Sequence, residues 1–313
     1  MLSRIADSLF WLNRYMERAD GLLRVMHTNY ILSLDKGVNG ALTWKPLLEI
    51  FTNADEAKIA VLENDTDATL KLLMLDTENI NALKVILTRA RENARGVQDH
   101  ITKEVWEQVN QMYHLVNQKK LASKLTGDTS LETIENFLRN SFLFSGVIDI
   151  TMPRGTGWNF MNLGRHIERC LQTIEITDKQ YHNVGYDLNN QQDIMQWRYL
   201  LLSVSGYELH LKTYRTTNYN SNVLHQVLIN QNFTRSVIYS LSRIEKYLAD
   251  VVNENKSPEN EALLRFFGRL YSRVRYVDFD ALDGIILQRF LFELRHDVVE
   301  FSKRLAQNLF SYS

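Results

Sequence analysis

A single cysteine, Cys170, in 313 residues excludes an intrachain disulfide and any cysteine-built metal set, and it fits a reducing, cytoplasmic setting. Proline occurs three times and glycine 13 times, so few backbone breakers interrupt the chain. No stretch reaches the ~18 consecutive apolar residues of a membrane span. The opening Met1-Leu-Ser-Arg-Ile-Ala-Asp-Ser-Leu-Phe10 lacks the apolar core of a signal peptide, and Arg14, Glu17 and Arg18 follow at once. Neither sign of charge prevails: 36 basic residues against 37 acidic ones leave −1, which excludes a global field drawing the protein to nucleic acid or an anionic membrane. Gly-rich phosphate loops, Walker patterns, Gly-x-Ser-x-Gly elbows and zinc motifs are absent, and no segment alternates like a strand.

What is present is apolar residues recurring every three or four positions. With 45% hydrophobic residues a sizeable core can form. Ile5, Leu9, Leu12, Met16, Ala19, Leu23, Met26 and Tyr30 trace one face of a long helix with Ser3 as its cap, ended by Asp35-Lys-Gly-Val-Asn-Gly40. Further start signals are the capping-box pattern Thr129-Ser-Leu-Glu132 and the cap-plus-proline Ser257-Pro258. The expectation is an all-α chain with long helices near 4–34, 80–99, 102–117, 130–150, 157–184, 190–214, 234–253, 258–276 and 278–310, and shorter pieces within 43–75 and 220–229.

The chain also resembles itself. Arg14-Tyr-Met-Glu17-Arg18 matches Arg165-His-Ile-Glu168-Arg169, 17 against 168, an offset of 151 that Leu12 and Leu163 share. Trp44 with Leu47 and Leu48 matches Trp197 with Leu200 and Leu201 at 153, as do Asn79 with Asn232 and Glu92 with Glu245. Four groups in the same order at nearly one offset imply a multi-helix bundle built from two duplicated halves, 1–150 and 151–313. The junction falls at Asp149-Ile-Thr-Met-Pro-Arg-Gly-Thr-Gly157, and helices from 258 onward, which have no earlier counterpart, would brace both halves.

These residues resemble the Alpha-E family, all-α proteins with a Glu-Arg motif. The likeness rests on the opening Met1 to Ala19, on Arg91-Glu-Asn-Ala-Arg95 with Trp106-Glu107 and Asn110, on Thr151-Met152, on Gly164 to Arg169, and on Trp197 with Ser205-Gly206. The chain departs from the pattern where a Pro-Arg-Ser motif reads Thr234-Arg235-Ser236, and where Asn13 stands opposite Gly164. The resemblance implies one continuous Alpha-E-like domain. It also implies an accessory or scaffold role beside circularly permuted ATP-grasp ligase-like and transglutaminase-like proteins, in making or processing amide-linked peptides. Neither a cofactor, a metal, a nucleic acid nor a membrane partner is expected, and the oligomeric state stays open.

On a helix Arg14 and Glu17, three residues apart, can pair, while Arg18 is rotated about 100° from Glu17. Glu17 projects roughly 130° from the apolar stripe, yet Phe10 and Gly21 flank it and Trp11, Leu22 and Val25 cover the side near Arg18, so the motif is carried into contact with other helices. One reading is an ion-pair network fixing helix register, formed by Arg14, Glu17, Arg18, Arg165, Glu168 and Arg169 with Arg91, Glu92, Arg95 and Glu245. The other is a polar site where the halves meet, in which Glu17 and Glu168 serve as catalytic acid or base, or in which the arginines hold an anionic ligand. Glu293-x-x-His296 has di-iron spacing but lacks the second copy such sites need. The ladder Arg265, Arg269, Arg273 reads as a solvated or acid-paired face, and His166 and Tyr15 read as packing.

Overall fold

The computed structural model describes residues 2–34, 43–127, 129–189, 194–252 and 257–310. Among them the chain is an all-α multi-helix fold of fifteen α-helices without strands. It divides into two compact units: an N-terminal unit, Trp11–Pro153, and a C-terminal unit made of Arg154–Ser313 together with Met1–Phe10.

The first helix, α1 (Ser3–Leu34), runs through that division. Leu9, Leu12, Met16, Ala19, Leu23 and Met26 are buried along the expected stripe, but so are Phe10, Leu22 and Val25, and the helix is apolar nearly all round. Its start lies one step earlier than the Ser3 cap allows, because Ser3 is already helical and the Leu2 carbonyl receives the Ile5 and Ala6 amides at 2.9 and 3.1 Å. The expected break at Asp35 to Gly40 lies outside the described residues.

In the N-terminal unit the segment expected to hold short pieces forms three, α2 (Lys45–Phe51), α3 (Glu56–Leu62) and α4 (Thr66–Leu75). Two aspartates cut it: Asp55 accepts from the Lys58 amide at 2.8 Å and Asp65 from Ala68 at 2.9 Å, N-caps each worth about 1 kcal/mol. Next come α5 (Leu83–Gly96), α6 (Lys103–Val116), the single turn α7 (Leu121–Lys124) and α8 (Thr129–Thr151). The middle helix α6 packs on both α5 and α8. Its buried Gln108 donates to the Asn140 carbonyl and side chain at 3.0 and 3.1 Å, and Thr102 meets Thr151 at 2.8 Å. The capping box at Thr129 does not form. Thr129 is the first helical residue, and its hydroxyl donates back to the carbonyls of Lys124 and Thr126 at 3.0 and 3.1 Å.

The C-terminal unit is organised on α9 (Thr156–Asn183), whose buried residues extend from Trp158 to Tyr181. Then follow α10 (Ile194–Ser203), α11 (Tyr207–Thr213), α12 (Tyr219–Ile229), α13 (Val237–Val252), α14 (Pro258–Arg275) and α15 (Gly284–Leu309). Helices α13 and α15 lie along α9, and α14 packs on both of them. The single helix expected over 190–214 begins outside the described residues and is broken after Ser203, where Ser205 adopts a left-handed φ of 55°. The helix expected from 278 starts at Gly284, whose φ is +52°, behind a 3-10 turn at Phe279–Ala281. Asp283 holds that start by accepting from the Leu188 amide and the Asn189 side chain at 2.9 and 2.8 Å. Ser257 caps α14 as expected, accepting from the Asn260 amide at 3.2 Å.

Candidate functional site

In the N-terminal unit the Arg-x-x-Glu-Arg motif occupies the middle of α1. Arg14 and Glu17 are buried, at 7% and 4% exposure, and Arg18 is half-buried. The arginines lie on aromatic faces of their own helix: Arg14 is 4.6 Å from the Trp11 ring and Arg18 5.7 Å from Tyr15, with the two rings 5.4 Å apart. One turn further the buried Asp20 accepts from Arg24 at 2.7 Å and from the Ser141 hydroxyl at 2.8 Å, tying α1 to α8.

The residues of α5 divide by face. Arg91 donates through Nε to Asn110 Oδ1 at 2.6 Å, and its guanidinium lies 4.6 Å from the Tyr113 ring and 5.7 Å from Trp106. It therefore fastens α5 to α6 using the planar fork that lysine lacks. Glu92 and Arg95 are exposed, as is Glu245 on α13.

In the C-terminal unit Glu168 is buried at 4% exposure, with Arg165 and Arg169 half-buried on α9. Arg169 donates to the Thr234 carbonyl at 3.4 Å and Thr173 to the Arg235 carbonyl at 2.9 Å. Ser236 completes this turn, donating to the Asn230 carbonyl at 2.7 Å and accepting the Tyr239 amide at 3.1 Å at the head of α13. The stretch that departs from the family's Pro-Arg-Ser pattern thus serves α9 through main-chain carbonyls, which any residue supplies.

His166, read from the sequence as packing, lies between motif arginines. It is buried, its Nδ1 has no hydrogen-bond partner, and its ring stands 6.0 Å from Tyr247 at 19° and 6.2 Å from Tyr239. Burial, and then the positive charges of Arg169, Arg165 and Arg243, hold the imidazole well below its ordinary pKa of 6.5, so it is neutral at pH 7. Cys170, one turn on, is buried and its thiol is pushed up by desolvation, which leaves it unreactive.

The two tryptophans matched within the sequence are each buried and hydrogen-bonded in their own unit. Trp44 donates its indole N–H to Thr66 at 3.0 Å, and Trp197 to Asn220 at 2.9 Å. The Tyr181 ring lies 4.6 Å from that of Trp197, tilted by 38°, and its hydroxyl donates to the Asn220 carbonyl at 2.6 Å, while the Asn220 amide reaches the Asp187 carbonyl at 2.7 Å.

The sequence model of a family described as a predicted alpha-helical domain with a conserved ER motif matches residues 1–310. The chain belongs to the Alpha-E family. Its Glu-Arg dipeptides are Glu17-Arg18 and Glu168-Arg169, in the two motif helices just described. Two uncharacterised proteins, one of Mycobacterium bovis and one of Mycobacterium tuberculosis, are each 22% identical to it over 282 residues, 83% of this chain and 31% of theirs. The Alpha-E chain thus spans about a third of the length of these curated relatives. No solved structure matches it.

Other sequence constellations resolve into surface pairs. Arg265 meets Glu261 at 3.5 Å, and Arg273 meets Glu293 and Asp297 at 3.5 and 3.0 Å, so Glu293 of the Glu-x-x-His spacing is engaged by an arginine. Among the described residues no helix is long and apolar enough to cross a membrane.

Proposed function

We propose that this chain is a helical accessory module that works beside an ATP-grasp-like ligase and a transglutaminase-like protein in making or processing amide-linked peptides. The observation that carries the modular part is the match within two mycobacterial proteins of which it corresponds to 31%. A segment that recurs inside longer polypeptides operates joined to other domains. The identity of the partners rests on the family resemblance of the motif helices.

Duplication of an ancestral half belongs to the same proposal. Features at nearly one offset support it: the indoles of Trp44 and Trp197, which donate to Thr66 and Asn220, and the side-chain turns in which Asn79 and Asn230 accept the Asn81 and Asn232 amides, a pairing that sets Asn230 rather than Asn232 opposite Asn79.

The test is reconstitution of the full chain with an ATP-grasp-like ligase and a transglutaminase-like protein, reading complex formation by light scattering and peptide product by mass spectrometry. The accessory role predicts a complex and more product when the chain is added. Glu17→Gln and Glu168→Gln variants that keep the parent melting temperature should keep the stimulation. Loss of product in a variant that stays folded would transfer the chemistry to this chain, and failure to bind either protein would remove the proposed partners.

A further inference from the structure

The C-terminal unit carries a cationic, aromatic-walled cluster that its packing does not require. Three residues of α13 at helical spacing, Tyr239, Arg243 and Tyr247, share one face and are part-exposed. The Arg243 guanidinium lies 4.8 Å from the Tyr239 ring and makes no ion pair among the described residues. Beneath this rim is His166 of α9, flanked in sequence by Arg165 and one turn before Arg169. A buried imidazole nitrogen without a hydrogen bond carries a desolvation cost of order 1–3 kcal/mol, so the arrangement needs a reason. Apolar packing would be served as well by phenylalanine. The acids nearest in sequence on the two helices are Glu168, itself buried, and Glu245, which is exposed.

We infer that His166, Arg243 and Tyr247 form a binding site for a small oxyanion, a carboxylate or a phosphate group, with Arg165 and Arg169 supplying further positive potential. An oxyanion seated on the rim would accept from the Arg243 guanidinium and from the Tyr247 hydroxyl and, with a tyrosine ring displaced from the enclosed nitrogen, from His166 through Nδ1–H, which brings that nitrogen a partner. Burial and, after it, the arginine field keep the imidazole neutral; the negative charge would offset the second of these and favour proton uptake at His166. Carboxylate and phosphate share this chemistry, and the two are separated by titration. The site lies wholly within the C-terminal unit and does not depend on the accessory role proposed above.

The experiment uses the full chain with nitrogen-15-labelled histidine. Imidazole resonances are followed as inorganic phosphate or, separately, acetate is added, with chloride at matched ionic strength as reference. A saturable shift of the His166 signals with phosphate alone marks a phosphate site, with acetate alone a carboxylate site, and with both a general oxyanion site. Arg243→Gln should weaken the response about tenfold, as expected for loss of one charge-assisted hydrogen bond, while Arg265→Gln on the paired surface of α14 should leave it intact. If Arg243→Gln fails to fold, Tyr247→Phe keeps the stacked ring and removes only the hydroxyl, and it should weaken binding by a smaller factor. Signals of His166 that follow chloride as closely as either anion, or that respond equally in the parent and the variants, would overturn the site.

Discussion

The two motif helices share Arg-x-x-Glu-Arg and differ in what lies between the charged residues. In α1 the position after the first arginine is Tyr15, part of an aromatic pair with Trp11 on which Arg14 and Arg18 rest. In α9 it is His166, with a bare nitrogen and a tyrosine on either side. The tryptophan anchors differ in the same direction: Trp44 has one hydroxyl partner, whereas Trp197 sits in a network of Tyr181, Asn220 and Asp187. The charged motif and a buried tryptophan occur in both units, while the tryptophan of the C-terminal one sits among more hydrogen bonds. The motif is therefore compatible with a purely structural helix and with one that offers a ligand group, and its flanking residues decide which.

The largest effect should come from the tryptophans. Trp197→Ala empties a fully buried site, removes the ring beside Tyr181 and leaves the buried Asn220 Oδ1 without its donor, so it should cost about 3–5 kcal/mol, toward the upper end of that range. Trp44→Ala should fall toward the lower end, since only the Thr66 hydroxyl loses its partner. Chemical denaturation of both variants measures the difference, and equal losses would mean that the extra hydrogen bonds contribute nothing.

Glycines give the next contrast. A Cβ at Gly206 would stand 2.6 Å from the Gln226 amide nitrogen and 3.0 Å from the Phe233 ring, and that amide donates to the Gly206 carbonyl at 2.8 Å. Gly206→Ala should destabilise by about 1–3 kcal/mol through overpacking. Gly146, inside α8 with open space where its Cβ would go, should gain up to about 1 kcal/mol on becoming alanine. Opposite shifts in thermal midpoint are expected, and a loss at Gly146 would show that α8 needs the gap.

The smallest effect is a pH dependence. Burial and three arginines lower the folded-state pKa of His166 below 6.5, so the unfolded chain binds the extra proton first. Its contribution to stability is complete above pH 6.5 and is lost as the pH falls toward the folded value. His166→Gln should flatten that acid limb in denaturation curves collected from neutral to mildly acidic pH. An unchanged limb would place the proton-sensitive groups elsewhere, with the similarly lowered His210 and His225 the first to substitute.

Local patterning made most helices legible. The stripe from Leu9 to Met26 and the Ser257-Pro258 start are near-neighbour effects, and the structure follows them. The break after Ser203 is not legible locally, because the groups that leave no room for a Cβ at Gly206, Gln226 and Phe233, lie 20 and 27 residues further along. The capping-box pattern at Thr129 misled because the preceding turn competes for the hydroxyl. Within the motif, spacing showed that Glu17 and Glu168 sit away from the apolar stripe but not how deeply they are buried. His166 looked like packing because Tyr239, Arg243 and Tyr247 join it from another helix. Asp20 gave no signal at all, since its partner Ser141 lies 121 residues away.

The opening of α1 up to Phe10 counts with the C-terminal unit, and Phe10 rests 5.2 Å from Phe310 in an aromatic cluster that Phe160 completes. Phe10 and Phe310 stand 300 residues apart in the chain, with the whole of the N-terminal unit between them. Trp11–Pro153 is one continuous stretch and can collapse as soon as it has been made, whereas the other unit draws on segments from both sides of it and closes on Phe10 only after Phe310 has been made. Expression of residues 154–313 alone would thus yield a unit short of one of its own pieces, and supplying the first ten residues as a separate peptide is the direct way to measure what that piece contributes.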